Sequence, residues 1–228
     1  MGKWTRRGIL SAGVLGGTGL IIGIAVRPGN PTETAGHLVA GEGENLLHIY
    51  LKIDDQNRAT AILPHSEMGQ GAQTALTQML AEELDADWDL MQFEEAPADA
   101  EYANMAVGRG YLFAGVDFPD AVVPTVDGLM LNLADAMGMQ VTGGSMSIRA
   151  TGQYFLRAAG ASVREMLVKT AAKAWSVPAG EIRTAKSMLH HDASGRSAPY
   201  SEFAAAAAEM TPSSTPKLKK TSEFSIIG

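Results

Sequence analysis

Apolar and polar positions alternate early in the chain, where Leu47, Ile49, Leu51 and Ile53 are interleaved with His48, Tyr50 and Lys52. This period of two predicts one half-buried strand beginning at Leu46. Asp54-Asp55-Gln56-Asn57 supplies its turn, and Ala59–Leu63 returns as a hairpin partner. Pro64 ends that partner, because proline has no N–H for a ladder. Across 72–84 the pattern changes to helical spacing, with Ala75, Leu76, Met79, Leu80 and Leu84 on one face. Between strand and helix lies Ser66-Glu67-Met68-Gly69-Gln70-Gly71. Met91–Glu95 reads as another short strand.

Periodicity weakens over 103–140, which reads as an insertion between two better-patterned parts, although Val126, Leu129, Met130, Leu133 and Met137 fit one helix face. The longest periodic run follows Thr142-Gly143-Gly144-Ser145-Met146-Ser147. In it Phe155, Ala159, Val163, Met166, Leu167, Thr170 and Ala174 share a face, and Val177-Pro178 terminates the helix near Trp175. A strand over 188–192, a turn at Ser194-Gly195 and a helix over 202–210 with Ser201 as its N-cap complete the folded part. The expected fold class is α+β: a short mixed or antiparallel sheet packed by two or three helices, preceded by a signal helix. The expected division is a signal or anchor over 1–27, a linker over 28–45, a domain over 46–210 and a linker over 211–228.

The first segment has a distinctive order. Lys3, Arg6 and Arg7 precede an uncharged stretch over 8–26, closed by Arg27-Pro28. Thr5-Arg6-Arg7-Gly8-Ile9-Leu10 resembles the twin-arginine export motif, and Gly13, Gly16, Gly17, Gly19 and Gly23 keep the apolar stretch mild. An uncleaved anchor through residues 8–26 is the alternative, since a stretch of this length just spans a hydrocarbon core of ~30 Å. Periplasmic or inner-membrane-associated localisation is therefore expected. Gly16-Gly17-Thr18-Gly19 follows no strand, so it is not read as a dinucleotide fingerprint.

Composition narrows the chemistry. With 18 Lys and Arg against 25 Asp and Glu the net charge is −7, and the basic residues are scattered, which argues against nucleic acid as a partner. The 228 residues include no cysteine, so a disulfide, a thiolate metal site or an iron–sulfur cluster held by this chain is excluded. What remains prominent is the pair of glycine-containing loops, each leading into a helix. Glycine lets backbone N–H groups approach a ligand closely, and a helix N-terminus favours anions.

Ser66 to Gly71 followed by Ala72-Gln73-Thr74 and Ala81-Glu82-Glu83-Leu84, then Thr142 to Ser147 before a long helix, resembles the molybdopterin-binding part of the xanthine dehydrogenase and aldehyde oxidoreductase family. Similarity is greatest to the large subunits of its isoquinoline 1-oxidoreductase-like branch. The resemblance covers nearly the whole chain. It implies a molybdopterin cofactor with molybdenum, with or without a cytosine nucleotide. Gln70 would bond that cofactor near its metal end, with Gly69 and Gly71 giving a tight backbone. Thr142, Gly143, Gly144, Ser145, Met146 and Ser147 would grip the pterin. The family's catalytic glutamate lies in a Gly-Glu-Pro motif that this sequence lacks, so no catalytic residue and no protein metal ligand are assigned here. The implied partners are the remaining molybdenum-binding domains, an iron–sulfur small subunit and a small-molecule substrate. The implied activity is insertion of water-derived oxygen into an aldehyde or N-heterocycle, with this segment inactive alone. A non-catalytic, membrane-tethered interaction module, or a remnant that no longer binds cofactor, is the competing reading.

Each residue also has an ordinary role to weigh. Gln70 alone would read as a helix cap, and the sister loop tips it toward ligand contact. Glu67, just before a helix, more often serves the dipole than catalysis. His65 reads as a satisfied side chain, and His190 and His191 point to opposite faces of one strand and cannot share a metal. Arg149 is the nearest cation for a phosphate, or a solvated helix-entry side chain.

Overall fold

The computed structural model describes residues 31–104, 130, 133–134, 136–145, 147–213 and 215–227. The signal or anchor expected over 1–27, most of the insertion expected over 103–140, and Met146 lie outside the described residues. Among the described residues no helix is long and apolar enough to cross a membrane.

The architecture is α+β. Strands β1 (Glu44–His48), β2 (Leu51–Asp54), β3 (Ala59–Leu63) and β4 (Met91–Glu95) form one mixed sheet in that order. Its first two pairings are antiparallel, and β3 with β4 is parallel. The crossover between β3 and β4 carries helix α2 (Ala72–Leu84), since parallel neighbours cannot be joined by a tight turn. Helix α1 (Pro31–Val39) precedes the sheet. A π-helical run, Ser147–Leu156, continues directly into α3 (Arg157–Trp175). A three-stranded antiparallel meander follows, β5 (Ile182–Ala185), β6 (Met188–His191) and β7 (Arg196–Pro199), and then α4 (Tyr200–Ala208).

Four expectations need correction. The alternating run expected as one strand is a hairpin, with Ile49 and Tyr50 in the turn between β1 and β2. The Tyr50 N–H donates to His48 Nδ1 (3.3 Å) and the two rings stack, which bends the backbone locally. The polar positions are buried too: Lys52, 5% exposed, donates to the Val39 carbonyl (2.7 Å) and pairs with Glu44 and Glu94. A side chain this well partnered can face a second layer instead of solvent.

The segment 28–45, expected as a linker, contains α1, whose Ala35 and Val39 join the core, and also the start of β1 at Glu44. Ser201 does not cap α4. Its N–H donates to Asn57 Oδ1 (3.0 Å), and Pro199 stands at the cap position. The tail over 211–228, expected as a linker, packs across α2 and α3 through 217–227.

The other elements agree with the pattern. The turn after β2 is held by Asp54 Oδ1, which accepts from Gln56 and Arg58 N–H, with Asn57 left-handed at φ 64°. Ser176 closes α3 in the left-handed conformation, φ 55°, before Val177-Pro178. Helix α3 packs along α2 because Gly160 leaves room: a Cβ there would run into the Leu80 carbonyl and come within 3.2 Å of Leu84 N. Gly152, one element earlier, faces Met79 and Leu76 in the same way. Contacts therefore advance in the same direction along both elements, and the two helices run parallel.

Candidate functional site

Parallel packing has a direct consequence for the loops. The Ser66–Gly71 loop ends at the N-terminus of α2, and the Thr142–Ser147 loop opens the helical run into α3, so both arrive at one end of the helix pair. They touch: the Ser66 N–H donates to Thr142 Oγ1 (3.0 Å). Directly beneath, His65 Nε2 and Thr151 Oγ1 lie 2.7 Å apart. His65 is buried, and that burial lowers its pKa to about 4, with the Val141 backbone pulling weakly the other way. The ring is thus neutral at pH 7, and it ties the strand end Leu63-Pro64 to the helical run.

The first loop is organised by its own side chains. Glu67 Oε1 accepts from the N–H groups of Gly69 (2.7 Å) and Gly71 (2.9 Å), while Oε2 accepts from Gln73 (3.3 Å). The Gly71 N–H, with those of Gln73, Gly69 and Gln70, holds the Glu67 carboxyl below its usual range. The Gln70 amide spans the loop, accepting from the Met68 N–H and donating to the Ser66 carbonyl (2.9 Å). Gly69 at φ 87° and Gly71 at φ 72° adopt the left-handed conformation that this tight path demands. Glu67 serves local hydrogen bonds at the start of α2, as expected from sequence, and Gln70 does not cap α2 but shapes the loop without reaching the second one.

The second loop is closed by Ser147, whose Oγ accepts from the Gly143 N–H (2.9 Å) and whose own N–H donates to the Gly144 carbonyl (3.2 Å). Ser147 is buried, whereas Gly144, at φ 51°, and Ser145 are exposed. Of the residues expected to act together, Thr142 meets Ser66, and Gly143 meets Ser147. Gly69, Gln70 and Gly71 show no bond to the second loop among the described residues. Arg149 is exposed.

Beside the junction is a cavity of about 420 Å³, lined by Ser66 and Thr142 from the two loops, His65, Gln140, Glu95 and Asp99, among others. Gly69, Gly71 and Gly144 each have open space where a Cβ would stand. Open backbone next to hydroxyls and an amide suits a flat heterocycle that presents both donors and acceptors. Among the described residues no group of three or more His, Asp or Glu side chains could hold a metal ion.

No family model matches the chain. Over 161 residues it is 36% identical to isoquinoline 1-oxidoreductase subunit beta of Brevundimonas diminuta, covering 69% of this chain and 16% of that protein. The chain is a relative of the molybdopterin-binding oxidoreductases. Another relative, the membrane-bound aldehyde dehydrogenase [pyrroloquinoline-quinone] of Gluconacetobacter polyoxogenes, is 25% identical over 231 residues, covering 98% of this chain and 25% of its own length. Quinoline 2-oxidoreductase from Pseudomonas putida 86 matches 68% of this chain and 15% of its own, with 14% identity and a TM-score of 0.42, too distant to argue from. The chain thus spans a sixth to a quarter of the length of the two curated relatives it matches.

One feature of the site, and one at the far end of α2, lay outside the sequence reading. The Ser66–Thr142 bond has no sequence signal, because the residues are far apart in the chain. The burial of Glu83 did have one: it lies three residues after Leu80 and seven after Leu76, on the apolar stripe of α2.

Proposed function

We propose that this chain is the cofactor-binding segment of a molybdenum hydroxylase, an enzyme that inserts water-derived oxygen into an aldehyde or N-heterocycle and passes electrons to an iron–sulfur partner. The observation that carries the reading is the bond between Ser66 and Thr142 at the shared end of two parallel helices. That bond makes one continuous edge of two glycine and hydroxyl loops. Export by the twin-arginine route, and assembly with the remaining molybdenum-binding domains, belong to the same proposal.

When bound, molybdopterin supplies the molybdenum centre at which oxygen is transferred. The chain's own part is to hold and orient. Gly69, Gly71 and Gly144 leave open backbone for close approach, Thr142 and Ser145 offer hydroxyls around it, and the buried Ser147 holds the second loop in shape through the Gly143 N–H. Met146 belongs to the same loop. Gln70 reaches a ligand only by exchanging its two loop bonds, so its contact would stiffen on binding. Glu95 and Asp99 make the cavity side acidic, which suits heterocycle N–H groups. Phosphate groups then fit better on the exposed side of the second loop, near Arg149. No residue here is assigned proton transfer.

The self-satisfied loop also favours a second reading, a remnant that keeps the fold without cofactor. The two are separated by assaying molybdenum, pterin and pyrroloquinoline quinone in protein isolated, with its partners, from cells that synthesise all three. Molybdenum and pterin in equal amounts support the proposal. A chain stably folded and free of both supports the remnant, and quinone alone transfers the site to the chemistry in the second relative's name.

A further inference from the structure

We propose that the C-terminal half of α2, together with α3, is a receptor groove for polypeptide main chain, and that its occupant is the tail over 217–227 of this same chain, which turns at Thr221–Glu223. The reasoning starts from two adjacent carboxylates. Glu82 and Glu83 are both 0% exposed, in the last turn of a helix whose dipole disfavours negative charge there. Such charges are tolerated only with partners. Glu83 has one within the helix pair, Arg157, through Nε (2.9 Å) and Nη2 (2.5 Å).

Glu82 does not. Its donors are Lys219 Nζ (2.8 Å) and the N–H groups of Ser225 (2.8 Å), Ile226 (2.6 Å) and Ile227 (3.1 Å), and all of them come from the tail. Burial pushes the Glu82 carboxyl up, but Lys219 and these three N–H groups outweigh it and bring the pKa to about 2. Among the described residues, α2 therefore holds a fully buried charge whose recorded hydrogen bonds all lead to one segment. The tail both covers this carboxylate and supplies its donors.

What it reads is mostly backbone. Glu83 accepts the Lys219 N–H (2.9 Å), Arg157 donates to the Lys219 carbonyl (3.1 Å) and Arg164 to the Lys217 carbonyl (3.1 Å). Glu165 accepts the Lys217 N–H (2.9 Å), and Ser162 the Ser213 N–H (2.8 Å). Two side chains add selectivity. Lys219 also pairs with Asp85, and the Phe224 ring lies under the Arg157 guanidinium at 5.1 Å. A lysine followed five residues later by an aromatic, then three consecutive N–H groups turned toward one carboxylate, is the occupant this groove fits.

The test uses the full chain with a protease site inserted between Thr211 and Pro212. After cleavage of the folded protein, the segment should co-elute with the rest on size exclusion and leave it in Glu82→Ala. In the uncut chain, hydrogen exchange at Ser225 to Ile227 should be slow, and Glu82→Gln should speed it about tenfold or more, the loss of charged hydrogen bonds. Ser225→Ala should change it little, since only the N–H is bound. If Glu82→Gln does not fold, Lys219→Met, checked by circular dichroism, takes its place with the same expectation. Release of the segment from the otherwise unaltered cleaved chain, or unchanged exchange in the variant, overturns the proposal.

Discussion

At the scale of residues, single polar side chains decide how the two loops are held. Thr142→Val removes the acceptor for the Ser66 N–H and should cost about 1 kcal/mol, read as a lower denaturant midpoint with an unchanged slope. Glu67→Ala takes the acceptor from two loop N–H groups and from one in the first turn of α2. Faster hydrogen exchange at Gly69, Gly71 and Gln73 should result, and unchanged exchange there would show that Glu67 does not organise the loop. His48 and His65 add a pH effect with a definite sign. Burial lowers each to about 4, so both bind fewer protons folded than unfolded between about pH 4 and the ordinary value near 6.5. Their contribution is fully present above about pH 6.5 and is lost on acidification towards pH 4, with a slope of up to about 1.4 kcal/mol per pH unit for each ring. Urea titrations across that window should show it, and His48→Phe should flatten the slope. The ordinary roles weighed from sequence hold for Glu67, which serves local hydrogen bonds, and for His191, which lies between Ser194 and Glu181, whereas His65 bonds Thr151 through Nε2 and leaves its buried Nδ1 without a hydrogen-bond partner among the described residues.

At the scale of elements, what was legible followed local rules. Helix α2, strand β3 with its stop at Pro64, strand β4 and the end of α3 near Trp175 could be read because spacing, proline and caps act within a few residues. What was not legible depended on the opposite face. His48, Tyr50 and Lys52 read as the solvent side of one strand, yet α1, Glu44 and Glu94 provide Lys52 with partners in the interior. Likewise β5 and β7 have little pattern of their own and are fixed by pairing with β6. Close approach of α2 and α3 at Gly160 is the element-level condition for bringing the loops together. Gly160→Ala should therefore destabilise by about 1 to 3 kcal/mol through overpacking, measured by denaturant unfolding. The same change should loosen the Ser66–Thr142 junction, seen as faster exchange of the Ser66 N–H.

At the scale of the whole molecule, one helix serves two tasks. Helix α2 carries the Ser66–Gly71 loop at its start and the Glu82–Glu83 pair at its end, so the fold that presents the loops also secures the tail. The candidate site was legible from sequence as two loops of related chemistry, and the resemblance in Ser66–Gly71, Ala81–Leu84 and Thr142–Ser147 agrees with the relatives found. That the loops share an edge was not legible, because it follows from parallel helices meeting at glycines. The most direct test is retention of molybdenum and pterin by the assembled protein when each loop is altered separately. Gln70→Ala and Thr142→Val should each lower both contents in parallel while the fold persists by circular dichroism. Full molybdenum and pterin content in both variants would contradict the shared cradle.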